Sequence, residues 1–250
     1  MSEALSLPKA LHEKVLNTIV DKFSLTEELS ADGEAFLPLF SQLPMHQGSV
    51  GYMRKFTGNP LFQVVTSSIV VPALQLDSHM VFAFTPSDSA VPHFTVDSVC
   101  AGEHHAFHLD LIPRMDLGSQ LTYMNEVFLP LTESWERGSS IEGLSRAHLS
   151  PRQLGIMSPW MLANRATESA FEEITAVVDD YLEHWFSLLE KGVSAEALNG
   201  VTSEELIARD ARNKFAIFNA DVDPVWQRIA PLVGEEAASK QIETLRAISG

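Results

Sequence analysis

The clearest pattern along the chain is a change of period. Leu11, Val15, Ile19 and Phe23 recur every four positions and Pro8 suits a first turn, so a helix is predicted over residues 8–24. From Leu61 the pattern becomes that of strands. "LFQVVTSSIVVPALQ" (61–75) is rich in β-branched residues and "HMVFAFT" (79–85) follows it. "PHFTVDSVCAGEHHAFHLDLIPR" (92–114) then reads as two strands around a Gly-containing turn. Helical periodicity returns in "QLTYMNEVFLPLTESWE" (120–136), interrupted near Pro130. "GSSIEGLSRAHLSPRQLGIMSPWM" has the Gly, Ser and Pro punctuation of a loop. Phe171, Ile174, Val178, Tyr181, Leu182 and Trp185 make one apolar stripe that ends at Gly192. "TSEE" (202–205) matches a capping box before a helix to about Phe218, and Asp223 with Pro224 opens the last helical region.

Consecutive strands joined by short turns pair antiparallel, and helices before and after them cover the two faces. The expected fold is therefore α+β, a single-domain α/β/α sandwich. It has a helical N-terminal region (1–53), a sheet (55–115) and a helical layer (118–250).

Composition narrows the function classes. Seventeen Lys plus Arg against 33 Asp plus Glu give a formal net charge of −16, which disfavours nucleic acid and anionic lipid as partners. No apolar run approaches the ~18 residues of a membrane span. The N-terminal stretch lacks a basic segment followed by an apolar one, so a cytoplasmic location is expected. A lone Cys100 excludes a disulfide framework. There is no Walker sequence, dinucleotide fingerprint, GxSxG elbow or HExxH.

What stands out is chemistry on the strands. Five of the nine His lie between His79 and His108. In "HHAFH" His104 and His108 share a strand face while His105 points the other way, which is a poor start for a metal site, and none is expected. Alternation puts His93, Thr95 and Asp97 on one face of their strand, and His79, Val81 and Ala83 on one face of the preceding strand. A carboxylate in a strand of Phe, Val and Cys needs a bonded partner or a purpose.

From His79 to Arg114 the chain resembles the ferredoxin-dependent bilin reductases. The matching pieces are the His79 strand, "VPHFTVD" ending at Asp97, the turn "AGE", and "LDLIP" ending at Pro113. "PRMDLGSQLTYMNEVF" and "SPWMLANRA" are closer to red chlorophyll catabolite reductase, of the same superfamily. "RNKFAIFNADVDPVWQRIAPLVGEEAASKQIETL" is similar to the family's closing helices.

The resemblance implies a cytoplasmic oxidoreductase, monomeric or homodimeric, with no bound cofactor. It reduces a conjugated double bond of a linear tetrapyrrole by a radical route, with electrons from a [2Fe–2S] ferredoxin. The ligand is expected between the sheet and the helices of residues 168–248. Asp97 is implied as the principal proton donor with His79 as its partner, both on the floor beneath the ligand. A partly desolvated carboxyl stays protonated near neutrality, and His titrates in the same range. Arg165 and Arg54 are candidates for propionate groups, Gln63 for a ligand carbonyl, and Asp210 for a contact from the helical side. Local basic patches involving Arg54, Lys55, Arg114, Arg146, Arg152 or Arg165 are candidates for docking the ferredoxin. A protein that holds such a ligand without reducing it, or an enzyme of the same fold with an unrelated substrate, remains the alternative.

Overall fold

Ser6 opens the first helix, α1 (Leu7–Phe23), by accepting a hydrogen bond from the Lys9 N–H, with Pro8 in the first turn. The computed structural model describes residues 5–44 and 46–249. After α1 come β1 (Thr26–Glu28), β2 (Leu37–Phe40), β3 (Ser49–Gly58), β4 (Leu61–Val71), β5 (Leu76–Phe84), β6 (His93–Ala101) and β7 (His104–Ile112). Helices α2 (Leu121–Val127) and α3 (Thr132–Ser139) flank a short turn of helix around Pro130, at the predicted interruption. Next are β8 (Leu144–Arg146), α4 (Pro151–Leu154), β9 (Leu162–Ala166) and the long α5 (Glu168–Lys191), capped by Thr167 and stopped at Gly192. The chain closes with α6 (Ala195–Leu198), α7 (Ser203–Ile217), α8 (Val225–Val233) and α9 (Glu235–Arg246). Thr202 and Glu205 form the predicted capping box of α7.

Among the described residues nine strands make one antiparallel sheet, in the order β1-β3-β4-β5-β6-β7-β9-β8, with β2 also paired to β3. One face packs Val64, Val81, Phe94, Val96 and Leu109 against α1, α2 and α5. The other packs Val65, Phe82, Phe84 and Ile112 against the end of α7 and against α8 and α9. This is the expected α/β/α sandwich.

Three details differ from the sequence expectation. Residues 1–53 are not all helical, because β1, β2 and the start of β3 lie among them. Charge hides these strands: Arg54 and Lys55 of β3 reach across to Glu27 and Glu28 of β1, both at 2.6 Å. The stretch read as loop contains β8 and the approach to β9, too short to show an alternation. The helices of residues 168–248 do not form one layer, since α5 shares a face with α1 and only α7–α9 cover the other.

A buried charge cluster fastens α7 to the sheet. Asp210 of α7 accepts from His93 Nε2 of β6 at 2.8 Å and lies 3.3 Å from Arg114 and 3.0 Å from Lys214. Arg114 Nη2 donates to the Ser87 carbonyl at 2.7 Å, and Lys214 Nζ donates to the Ala247 carbonyl at 2.9 Å. The Thr85 N–H donates to His93 Nδ1 at 3.0 Å, so the imidazole carries its proton on Nε2 and is neutral. Burial and the neighbouring Arg114 charge push His93 down to about 3, against the pull of Asp210. Burial alone would raise Asp210, but the His93 bond and the charges around it hold its carboxyl well below the usual range.

Asp210→Asn leaves two buried cations without their anion and should cost about 3–5 kcal/mol in chemical denaturation; a variant as stable as wild type would show that the cluster does not hold α7. Unfolded His takes up its proton near pH 6.5, folded His93 only near 3. The unfolded state therefore binds more protons in that window, and the His93 contribution, full above about pH 6.5, is lost as pH falls toward 3. The urea midpoint of wild type should fall on acidification faster than that of His93→Gln. Identical pH dependence would contradict this.

Candidate active site

Side chains alternate along a strand, so the cross-strand register decides which of them meet. Ser67 pairs with Met80, Met80 with Asp97, Asp97 with His108 and His108 with Ala163. These five residues make one row across β4, β5, β6, β7 and β9, on the face toward α7–α9. The adjacent row is Val65, Phe82, Thr95 and Asp110. Asp97 and His108 therefore stand side by side, with Asp97 Oδ2 3.6 Å from His108 Nδ1. The Asp97 side chain is 40% exposed and that of His108 18%, whereas Thr95 and Asp110 are fully buried. The pair thus forms the mouth of the cluster.

Two segments frame that mouth. Ser158 donates to Asp110 from its N–H at 2.9 Å and from Oγ at 2.5 Å, holding the loop after α4 against β7. Arg152 of α4 donates to the Asp221 carbonyl at 3.1 Å, joining that loop to the segment before α8. In this segment the Asp223 carboxylate accepts from the Val225 N–H at 3.0 Å. Burial raises the Asp223 carboxyl, the nearby Asp97 charge adds to this, and His108 and Arg228 offset it in part. Burial pushes Asp110 up to about 6, with His108 and the Ser158 donors acting the other way. Among the described residues Asp97 Oδ1, His108 Nε2 and Thr95 Oγ1 are buried atoms without hydrogen-bond partners. Such atoms are costly in a finished interior and are commonplace where a ligand binds.

The predicted residues divide sharply on this map. Alternation within each strand is as expected: His93 and Asp97 face α7–α9, and His79 lies with Val81 and Ala83. The shared floor is not. His79 pairs with Ser98, one position off the Met80–Asp97 pair, and so lies on the opposite face, beneath α1. There its Nδ1 meets Ser68 Oγ at 2.9 Å, its Nε2 meets Asp77 at 2.6 Å, and its ring is 5.1 Å from that of His12. Arg54 is also on the α1 face, bound through two nitrogens to Glu27 and lying over the Phe56 ring. Gln63 is on the α7–α9 face, but donates to the Thr244 carbonyl of α9 at 2.8 Å. Asp210 is buried in the charge cluster rather than presented to a ligand. Arg165 is exposed on the same face as Asp97, paired with Ala106 one row beyond His108. His105 turns to Phe171 of α5, with ring centroids 5.3 Å apart, while His108 turns to Asp97.

Sequence reasoning missed His108, Asp110 and Asp223 as members of the site. The signal for His108 was available, since it stands opposite Asp97 in a tight hairpin whose turn, Gly102–Glu103, fixes the register. A cleft of about 480 Å³ opens between residues 114–120 and the start of α7, and another of about 530 Å³ on the outer side of α5. Asp97 lines neither of them.

No protein-family model matches this sequence, and no curated protein matches it. Among solved structures, the chain is similar to the phytochromobilin synthase from tomato in complex with biliverdin, with a TM-score of 0.74 and 17% sequence identity. The match covers 95% of this chain and 82% of that one. The chain has the fold of that synthase.

Proposed function

We propose that this chain reduces an open-chain tetrapyrrole on the sheet face that carries Asp97. Electrons come one at a time from a ferredoxin, and protons come from Asp97 with Asp223 opposite it. The observation that carries this reading is the Asp97–His108–Asp223 cluster with its unpartnered Asp97 Oδ1 and His108 Nε2, under the C-terminal helices. It gains weight from the fold, which is that of a synthase solved with biliverdin.

Saturating one conjugated double bond takes two electrons and two protons. The first electron from a ferredoxin leaves a radical anion and, once that is protonated, the second leaves a closed-shell anion; a nearby acid must quench the charge each time. Asp97, at the mouth, gives its proton to a flat ligand lying over Met80 and His108. Asp223 approaches from the helical side, and its raised carboxyl is suited to hold a second proton. Arg165, exposed on that face, is the candidate partner for a propionate. Arg54 and Gln63 are engaged by Glu27 and by the Thr244 carbonyl, and this reading assigns them no contact with the ligand.

Biliverdin added to the purified protein should give a sharpened, red-shifted absorption band, and reduced ferredoxin should then bleach or shift it. Asp97→Asn keeps size and hydrogen bonding but removes the proton, so binding should persist while turnover falls by about 10²-fold or more. His79→Gln, on the other face, should leave turnover intact and cost about 1–3 kcal/mol of stability through the Ser68 and Asp77 contacts it breaks. Equal turnover defects in both variants, or full turnover in Asp97→Asn, would sink this reading. A shifted band that reduced ferredoxin leaves untouched would mark a carrier instead.

A further inference from the structure

Asp97 can give only one proton before it must be recharged, and reduction of one double bond consumes two. Its neighbours on the sheet are unequal: Met80 on β5 has no proton to give, whereas His108 on β7 does. Resting on the reading of Asp97 as a donor, we propose that His108 supplies Asp97 with the proton for each transfer, with Asp110, two positions along β7 on the same face and fixed by Ser158, as the second carboxylate beside it.

At rest Asp97 is a carboxylate beside a protonated His108, 3.6 Å apart. When the ligand is reduced the pair closes to hydrogen-bond distance, His108 Nδ1–H passes its proton to Asp97 Oδ2, and Asp97 hands a proton on to the ligand and is again a carboxylate. The imidazole is left neutral, and solvent recharges it. A proton reaches the pair from the mouth, where the Asp97 side chain is 40% exposed and the edge of the His108 ring comes to the surface, while Asp110 is fully buried.

The electrostatics favour a charged His108 in the resting protein. Burial pushes the imidazole down, but the contact with Asp97 and the charges of Asp97, Asp110 and Asp223 outweigh it and hold the imidazole above its ordinary value. Those carboxylates come from every side: Asp97 from β6, Asp110 from β7 itself, and Asp223 from the segment before α8. Arg228 of α8 acts against Asp223, and Arg165 of β9 stands on the same face one row away. Ser158 matters because it engages both Asp110 oxygens, N–H to Oδ2 and Oγ to Oδ1, and so fixes that carboxylate two positions from His108 on the same face of β7. Ser158 Oγ accepts in turn from the Trp160 N–H at 3.1 Å, so its own position is set.

The bland alternative is a half-buried ion pair with no part in turnover, and two measurements on the whole protein separate them. By NMR, without ligand, the His108 titration midpoint should lie above that of an ordinary His. It should drop in Asp97→Asn and again in Asp110→Asn. In the biliverdin assay with reduced ferredoxin, the rate should fall on the alkaline side as His108 loses its proton. His108→Gln should abolish that limb and slow reduction by roughly 10-fold or more at saturating biliverdin. A midpoint that ignores both carboxylates, or an alkaline limb that survives in His108→Gln, overturns the proposal even if wild type reduces biliverdin. A coupled titration without any biliverdin reduction overturns the reductase reading instead, and the relay with it.

Discussion

Every side chain that can meet a ligand on this sheet is placed by the pairing of Met80 with Asp97 and of Asp97 with His108. Because successive side chains point to opposite faces, a slip of one residue would exchange the two sets. The register is held from both sides. On the α1 face, Val81, Val96 and Leu109 are packed beneath α1 and α5; on the other, Phe82 and Phe84 are packed against Phe218. A slipped β6 would bury Asp97 under α1 and turn Val96 to the mouth, which is costly on both counts.

The two faces accordingly do different work. The α1 face also carries His chemistry, but His12 and His79 are closed in, and burial first of all pushes both imidazoles down, His12 to about 3. They are neutral polar groups with local partners, Thr66 for His12 and Ser68 and Asp77 for His79. On the α7–α9 face the His93–Asp210 cluster fixes one end of the helical cover. Toward the other end the cover thins to the loop after α4 and the segment before α8. Rigid attachment at His93 and an open mouth at Asp97, two rows along one strand, are what a binding face between sheet and helices requires.

Much of this was legible from residue order. The layered fold followed from strands between helices, and His93, Thr95 and Asp97 share the face that alternation gives them. The capping box of Thr202 and Glu205, and the break at Pro130, are local signals that survived folding unchanged. What was not legible is the relation between strands. Alternation says that His79 and Val81 agree with each other, but only the β5–β6 register says that His79 opposes Ser98 rather than Asp97. Asp223 and Ser158 escaped for another reason: long-range packing of loops brings them to the sheet, and no periodicity records it. Arg54 looked free because its partner, Glu27, sits on a three-residue strand that the sequence pattern hides.

A structure of the protein with biliverdin bound would show which face of the sheet takes the ligand. If it is the Asp97 face, a pyrrole nitrogen or lactam oxygen will lie within hydrogen-bond reach of Asp97 Oδ1, with the ligand between the Met80–Asp97–His108 row and the segment that carries Asp223. A ligand seated under α1 beside His79, or in the cleft between residues 114–120 and α7, would contradict the proposed role of Asp97.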